Sequence, residues 1–308
     1  MKKFIGLVLA SLISTSVLAQ TNIAIQNPYS PSHSATPALL KIVETANQSQ
    51  TEFRFVVEYK PGGNQVIALK NLDQDTQNRL AIIAPAFVEN TRNGSVPGKN
   101  YVPIHALGDA CWAVISNLGN ERDGVASLQG QREIIVGGVG FGNAAHLTGL
   151  ALGERLGFKV KYVVFRSNNE ALVNMAGNNG VNFVIDKVDR ENFEALKQRN
   201  PSLNIIAASC PSRLPDFPQV RTLKEQGYNT PYIFNITVAH VDMPQATRDR
   251  LGRILNDATA KVGEAEIYRL SGMRPPMFDR ITADQFFKQS TDLVGNLLTR
   301  YQESIPKQ

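Results

Sequence analysis

Short apolar runs rich in Val, Ile, Phe and Ala recur along the chain, with helix-like spacing between them. They fall at residues 22–26, 53–58, 80–84, 112–116, 133–136, 160–165, 181–186, 203–208 and 233–238. A run that is apolar on every residue reads as a strand covered on both faces, and intervening helices supply that cover. The pattern predicts an α/β fold with parallel-rich sheets. Helix signals sit where this fold needs them. Thr36 is placed to cap a helix with Pro37 at its first position, and Leu39, Leu40, Ile42, Val43 and Ala46 form one apolar stripe. Leu251, Ile254, Leu255, Ala258 and Val262 repeat at the same spacing. The last helix opens on a capping box, TADQ at 282–285, and carries Phe286, Ser290, Leu293, Leu297 and Tyr301 on one face.

At 308 residues the chain is long for one hydrophobic core and comfortable for two. Two polar, Gly-containing breaks, NLGNERDG at 117–124 and GYNTP at 227–231, bracket a self-contained βαβ series. The expected division is therefore one lobe from residues 20–117 and 231–308, and a second lobe from residues 118–230. No internal repeat or low-complexity tract interrupts the pattern.

The N-terminus reads as a secretory leader. Lys2 and Lys3 precede an apolar run over residues 4–12, too short to cross a hydrocarbon layer about 30 Å thick. Val17 and Ala19 put small residues at −3 and −1, so cleavage after Ala19 is expected. The mature chain would be periplasmic in a cell with two membranes. Losing two lysines lowers the formal charge from +5 to +3. That mild excess suits an anionic ligand, and no basic stripe interleaved with aromatics points to nucleic acid. The two cysteines, Cys111 and Cys210, fit either a disulfide or two separate buried thiols. The four histidines are scattered without ligand spacing, so no metal is expected.

Three loops carry the donor chemistry. The first, NPYSPSHSAT at 27–36, runs from a strand into the helix at Pro37, and Ser32, Ser34 and Thr36 add hydroxyls to the helix-start amides. The second, EYKPGGN at 58–64, has glycines that allow positive φ and ends on Asn64, which could cap the next helix. The third, GGVGFGN at 137–143, precedes a helix and resembles an anion cradle. It is not a dinucleotide fingerprint: after Gly138 and Gly140 the next glycine, Gly142, falls one residue early, so no cofactor is expected. Arg166 follows a strand and could grip a carboxylate in two-pronged fashion, and Asp186 ends a strand where α/β sheets bind ligands. Each also has a purely structural role open to it, as a surface cation or a helix cap. His146 reads as a packed or solvent-facing helix residue. G-x-S-x-G, H-E-x-x-H and Walker A patterns are missing, which lowers the odds of an enzyme.

Together these segments resemble the Bug-type substrate-binding receptors of tripartite tricarboxylate transporters. VEYKPGGN at 57–64 is similar to that family's N-R-P-G-A-G-G-N segment, and YVPI at 101–104 to its F-x-P-I/V stretch. GFGNAAHL at 140–147 is similar to G-x-G-S-x-x-H-L, and LPDFPQV at 214–220, the most specific, to L-P-D-V-P-T-V. The resemblance implies a type II, flytrap-like periplasmic binding protein with a hinged central cleft. It implies a receptor that captures a small carboxylate-bearing metabolite for a membrane transporter; presentation of the ligand to a sensor kinase is the alternative, and a monomer is expected. A periplasmic hydrolase or isomerase using His33 or His146 is the reading from another class. By position, the implied ligand contacts are Ser32, His33, Ser34, Thr36, Asn64, Gly140, Phe141, Gly142, Asn143, Ala144, Arg166 and Asp186. The first loop departs from the family's P-P-G-G-x-x-D: YSPSHSAT at 29–36 has neither the Gly pair nor the acid. His33 there is expected to replace a backbone contact with a side-chain donor.

Overall fold

A computed structural model describes residues 20–210, 212–228, 233–274 and 282–306. The expected leader lies outside these residues, as does part of the 227–231 break. The first half of the chain forms β1 (Thr21–Asn27), α1 (Thr36–Ser49), β2 (Phe53–Tyr59), α2 (Val66–Gln74), β3 (Arg79–Ile83), α3 (Ala86–Arg92) and β4 (Tyr101–Ala110). Next come β5 (Ala113–Ser116), β6 (Glu133–Gly138), α4 (Ala144–Leu156), β7 (Lys159–Val164), α5 (Asn168–Ala176), β8 (Phe183–Asp186), α6 (Arg190–Arg199) and β9 (Asn204–Ala208). The chain closes with β10 (Ile233–His240), α7 (Gln245–Val262), α8 (Glu264–Ser271), β11 (Met273–Arg274) and α9 (Ala283–Arg300).

The strands make two sheets, in the orders β11-β4-β10-β3-β1-β2 and β7-β6-β8-β5-β9. β1 runs parallel to β2 and β3, and β6 runs parallel to β7 and β8, as the covered apolar runs predict. The strands that carry the chain between sheets run the other way. β10 is antiparallel to β3 and β4, and β5 is antiparallel to β8 and β9. Both sheets are therefore mixed, a correction to the parallel-rich expectation. A strand's apolar length records its burial but not its direction.

β4 and β11 went unread in the sequence. Pro103, His105, Gly108 and Asp109 dilute the apolar signal of β4. The strand accommodates them because its pairing with β10 shifts register twice, between Asn235 and Ile236 and between Thr237 and Val238. His105 is buried there, bonded through Nδ1 to Thr237 Oγ1 (3.2 Å) and through Nε2 to Thr259 Oγ1 (2.8 Å).

β5 belongs to the second sheet, so the chain changes sheets at Cys111–Trp112, ahead of the polar break after Ser116. A Cys111–Cys210 disulfide ties that crossing to the segment after β9, with Cα atoms 4.8 Å apart. Trp112 is locked beside it. Its N–H is bonded to Ser209 Oγ (3.0 Å) and its indole N–H to Ser271 O (2.8 Å).

The capping box of α9 forms as expected, with Thr282 and Gln285 bonding reciprocally. Its core face is turned slightly from the predicted stripe: Val294 and Leu298 are buried, while Leu293 and Leu297 are only half-buried. α9 packs on the first sheet and also meets α4 of the other lobe, where Glu154 accepts from Arg300 (2.7 Å) and Tyr301 (2.6 Å). Leu147 of α4 sits in one apolar cluster with Leu298 and Phe286, so the lobes share buried surface.

Candidate ligand-binding site

A cavity of about 830 Å³ lies between the two sheets, within the range of small-molecule sites. All three loops singled out in the sequence reach it, and Trp112 at the crossing lines it as well.

In the first loop only His33, among the four nominated residues, lines the cavity. Its ring stacks on Tyr29 with centroids 3.8 Å apart and lies 6.0 Å from the Trp112 ring. His33 Nδ1 accepts from the Ala35 N–H at 3.1 Å. Burial lowers the pKa of His33 to about 3. The ring is therefore neutral at pH 7, and with Nδ1 accepting, its one proton sits on Nε2. The loop closes on itself: His33 N donates to Ser30 O (3.1 Å) and Thr36 N to His33 O (2.9 Å). Ser32 is exposed and shares a hydrogen bond with Ser30. Thr36 is not the cap. Ala35 holds that position, and the Thr36 hydroxyl turns back to Ser30 O at 3.2 Å. Ser34 donates to Asp186 instead of lining the cavity.

The second loop has four successive positive φ angles, at Gly62 (105°), Gly63 (55°), Asn64 (49°) and Gln65 (81°). Glycine adopts that region freely and asparagine tolerates it, whereas Gln65 bears a cost. Gln65 is held there by its side-chain oxygen, which accepts from Ala84 N at 3.0 Å. Asn64 does not cap the next helix. It lines the cavity, and its Nδ2 donates across it to the Phe141 carbonyl at 3.1 Å.

The third loop brings Gly140, Phe141, Asn143 and Ala144 to the cavity wall. Asn143 caps α4: its Oδ1 accepts from His146 N and from the Tyr162 hydroxyl, both at 3.0 Å. That leaves the N–H groups of Ala144 and Ala145, the first two of the helix and both at the cavity, without intrahelical partners. Gly142, at φ 70°, faces Glu89 and Leu298 of the first lobe instead, and its N–H is taken by His146 Nδ1 at 3.1 Å. His146 is packed between Phe141 and Tyr162, and burial lowers its pKa to about 4.

Arg166 is exposed at the cavity edge, and its backbone N–H donates to Glu170. Asp186 stands behind the wall that its neighbour Ile185 forms. The Asp186 carboxylate accepts from Ser34 Oγ (2.6 Å) and Lys187 N (2.9 Å), and burial raises its pKa to about 6. The sequence reading missed Tyr29, Trp112, Phe165 and Ile233, all cavity residues. Tyr29 stood inside a loop already singled out. Trp112, the chain's single tryptophan, stood beside Cys111. Among the described residues no group of three or more His, Cys, Asp or Glu is placed to hold a metal ion.

Solved structures match this architecture along nearly the whole chain. The periplasmic binding protein BugD aligns with a TM-score of 0.74 at 16% identity, covering 92% of this chain and 97% of its own. MatC from Rhodopseudomonas palustris, solved with bound malate, gives 0.73 at 13% identity over 91% of this chain and 99% of its own. This chain has the two-lobed periplasmic-binding-protein fold. A second R. palustris protein, solved with adipate, shares the fold with a TM-score of 0.75 at 15% identity, over 93% and 98% of the two chains. No protein-family model and no curated protein matches the sequence. The cavity lies between the two sheets of this fold, and all three loops described above line it.

Proposed function

We propose that this chain is a periplasmic solute-binding receptor. It captures a carboxylate-bearing metabolite between its lobes and delivers it to a tripartite tricarboxylate-type transporter. The observation that carries this reading is the cavity lined from both lobes, in a fold shared with proteins solved with malate and adipate. The leader-like N-terminus agrees with export.

The chemistry is capture by closure. The free amides of Ala144 and Ala145 at the start of α4 and the Arg166 guanidinium attract the carboxylate from the second lobe. The His33 Nε2–H offers a neutral donor from the first. Binding drives closure only through contacts that the open form lacks, and the Asn64–Phe141 bond across the cavity is one of these. His33 and His146 each spend Nδ1 on a backbone amide, which suits a fixed wall better than a proton shuttle.

Calorimetry on the denatured and refolded chain with a panel of organic acids tests the reading. Mass spectrometry of the acid recovered afterwards completes it. The expected result is micromolar or tighter binding of at least one acid, recovered unchanged. Conversion of the acid would make the protein an enzyme and overturn the proposal.

A further inference from the structure

We infer that the guest carries its carboxylate on an apolar body of ring size or larger, not on a short polar chain. This rests on the receptor reading above and names the chemistry of the same site. The first observation is the distribution of charge. Among the described residues, the ionic side chains lining the cavity are Arg166 and Glu170, close together on the second lobe. The cation and the start of α4 therefore both belong to that lobe. Opposite them, several amides at the turn of the first loop are engaged, and the second loop brings the neutral backbone of Gly62, Gly63 and Asn64 to the wall. The N–H groups of His33, Ala35 and Thr36 are bonded within the loop, and the His33 ring is neutral. Among the described residues the first-lobe wall offers neutral donors and no cation.

The second observation is the apolar surface that both lobes give the cavity. Tyr29, Trp112, Val139, Phe165, Ile185 and Ile233 line the cavity, and the stacked Tyr29–His33 pair adds a flat face. A carboxylate pressed against these side chains loses its water without gaining a cation, whereas an apolar body gains from leaving water. Size agrees. A four-carbon acid would leave most of the 830 Å³ to solvent, on the order of two dozen waters at about 30 Å³ each.

The test is calorimetry on the ligand-stripped chain with benzoate, phenylacetate and octanoate against succinate, malate and citrate. Trp112 fluorescence serves as an independent readout. The best monocarboxylate is expected to bind at least tenfold more tightly than any di- or tricarboxylate. Val139→Thr, which puts a hydroxyl on the apolar wall, should weaken benzoate more than malate, and Arg166→Gln should weaken every acid. Malate or citrate binding as tightly as the best monocarboxylate would overturn the inference and leave the receptor reading standing. A folded chain that binds none of the six acids would overturn both.

Discussion

Ser34 Oγ donates to Asp186 Oδ1 at 2.6 Å, joining the loop after β1 in one lobe to the end of β8 in the other. Both side chains carry the chemistry expected of ligand contacts, and the fold uses them on each other. Ser34→Ala leaves a carboxylate that is 1% exposed with one fewer donor. A cost of about 1–2 kcal/mol is expected, read as a lower denaturant midpoint at pH 7.5. Asp186→Asn keeps an acceptor and removes a buried charge, so it should cost less than Ser34→Ala. The reverse order would show that the ionised carboxylate itself holds the lobes.

Acid should destabilise the protein well before carboxylates alone would. Burial lowers the pKa of His33 to about 3 and of His105 and His146 to about 4. Each is neutral in the folded chain and takes up a proton on unfolding below about pH 6.5. Their contribution is present above that pH and is lost as pH falls toward 3–4. Asp186 has the opposite sign. Its raised pKa, about 6, means that the folded state holds a proton the unfolded chain has released, so its contribution fades as pH rises through 6. Three histidines against one aspartate leave a net of about two protons near pH 5, or about 2–3 kcal/mol per pH unit. Denaturant melts from pH 7 to 4.5 should show this fall. A flat profile would mean that these rings are not buried.

Asn64→Gly is the cleanest probe of the contact across the cavity. Glycine keeps the positive φ that the loop needs and deletes the donor to Phe141 O. Ligand affinity should drop about 2–10-fold, the value of one net hydrogen bond of about 0.5–1.5 kcal/mol, with the unfolding midpoint little changed. Unaltered affinity in calorimetry would show that the bond forms equally in the open and ligand-bound states.

The disulfide closes a loop with a sequence separation of 99 residues at the sheet crossing. Replacing both cysteines with alanine should cost about 2–5 kcal/mol in denaturant melts. Ligand affinity should shift only a few-fold, because neither Cys111 nor Cys210 lines the cavity. A collapse of affinity at an unchanged midpoint would assign the bridge to the hinge and not to stability.

The parallel core of both sheets was legible because continuous apolar runs such as Leu80–Ile83 and Ile134–Val136 mark strands covered on both faces. β4 was not, since its Pro103 and Gly108 read as turn residues until the register shifts opposite β10 are known. The loops of the site were legible from local chemistry, from glycines, prolines and hydroxyls beside helix starts. Which of their groups face the cavity was not. Ser34 is committed to a residue 152 positions away, and Asn64 to one 77 positions away. Such pairings leave no periodic trace in the chain.

Small-angle X-ray scattering of the ligand-stripped protein, with and without an acid whose binding calorimetry has established, tests the central claim. The account predicts a smaller radius of gyration and a narrower distance distribution on saturation, as the two lobes close on their guest. Identical profiles at full occupancy would contradict it.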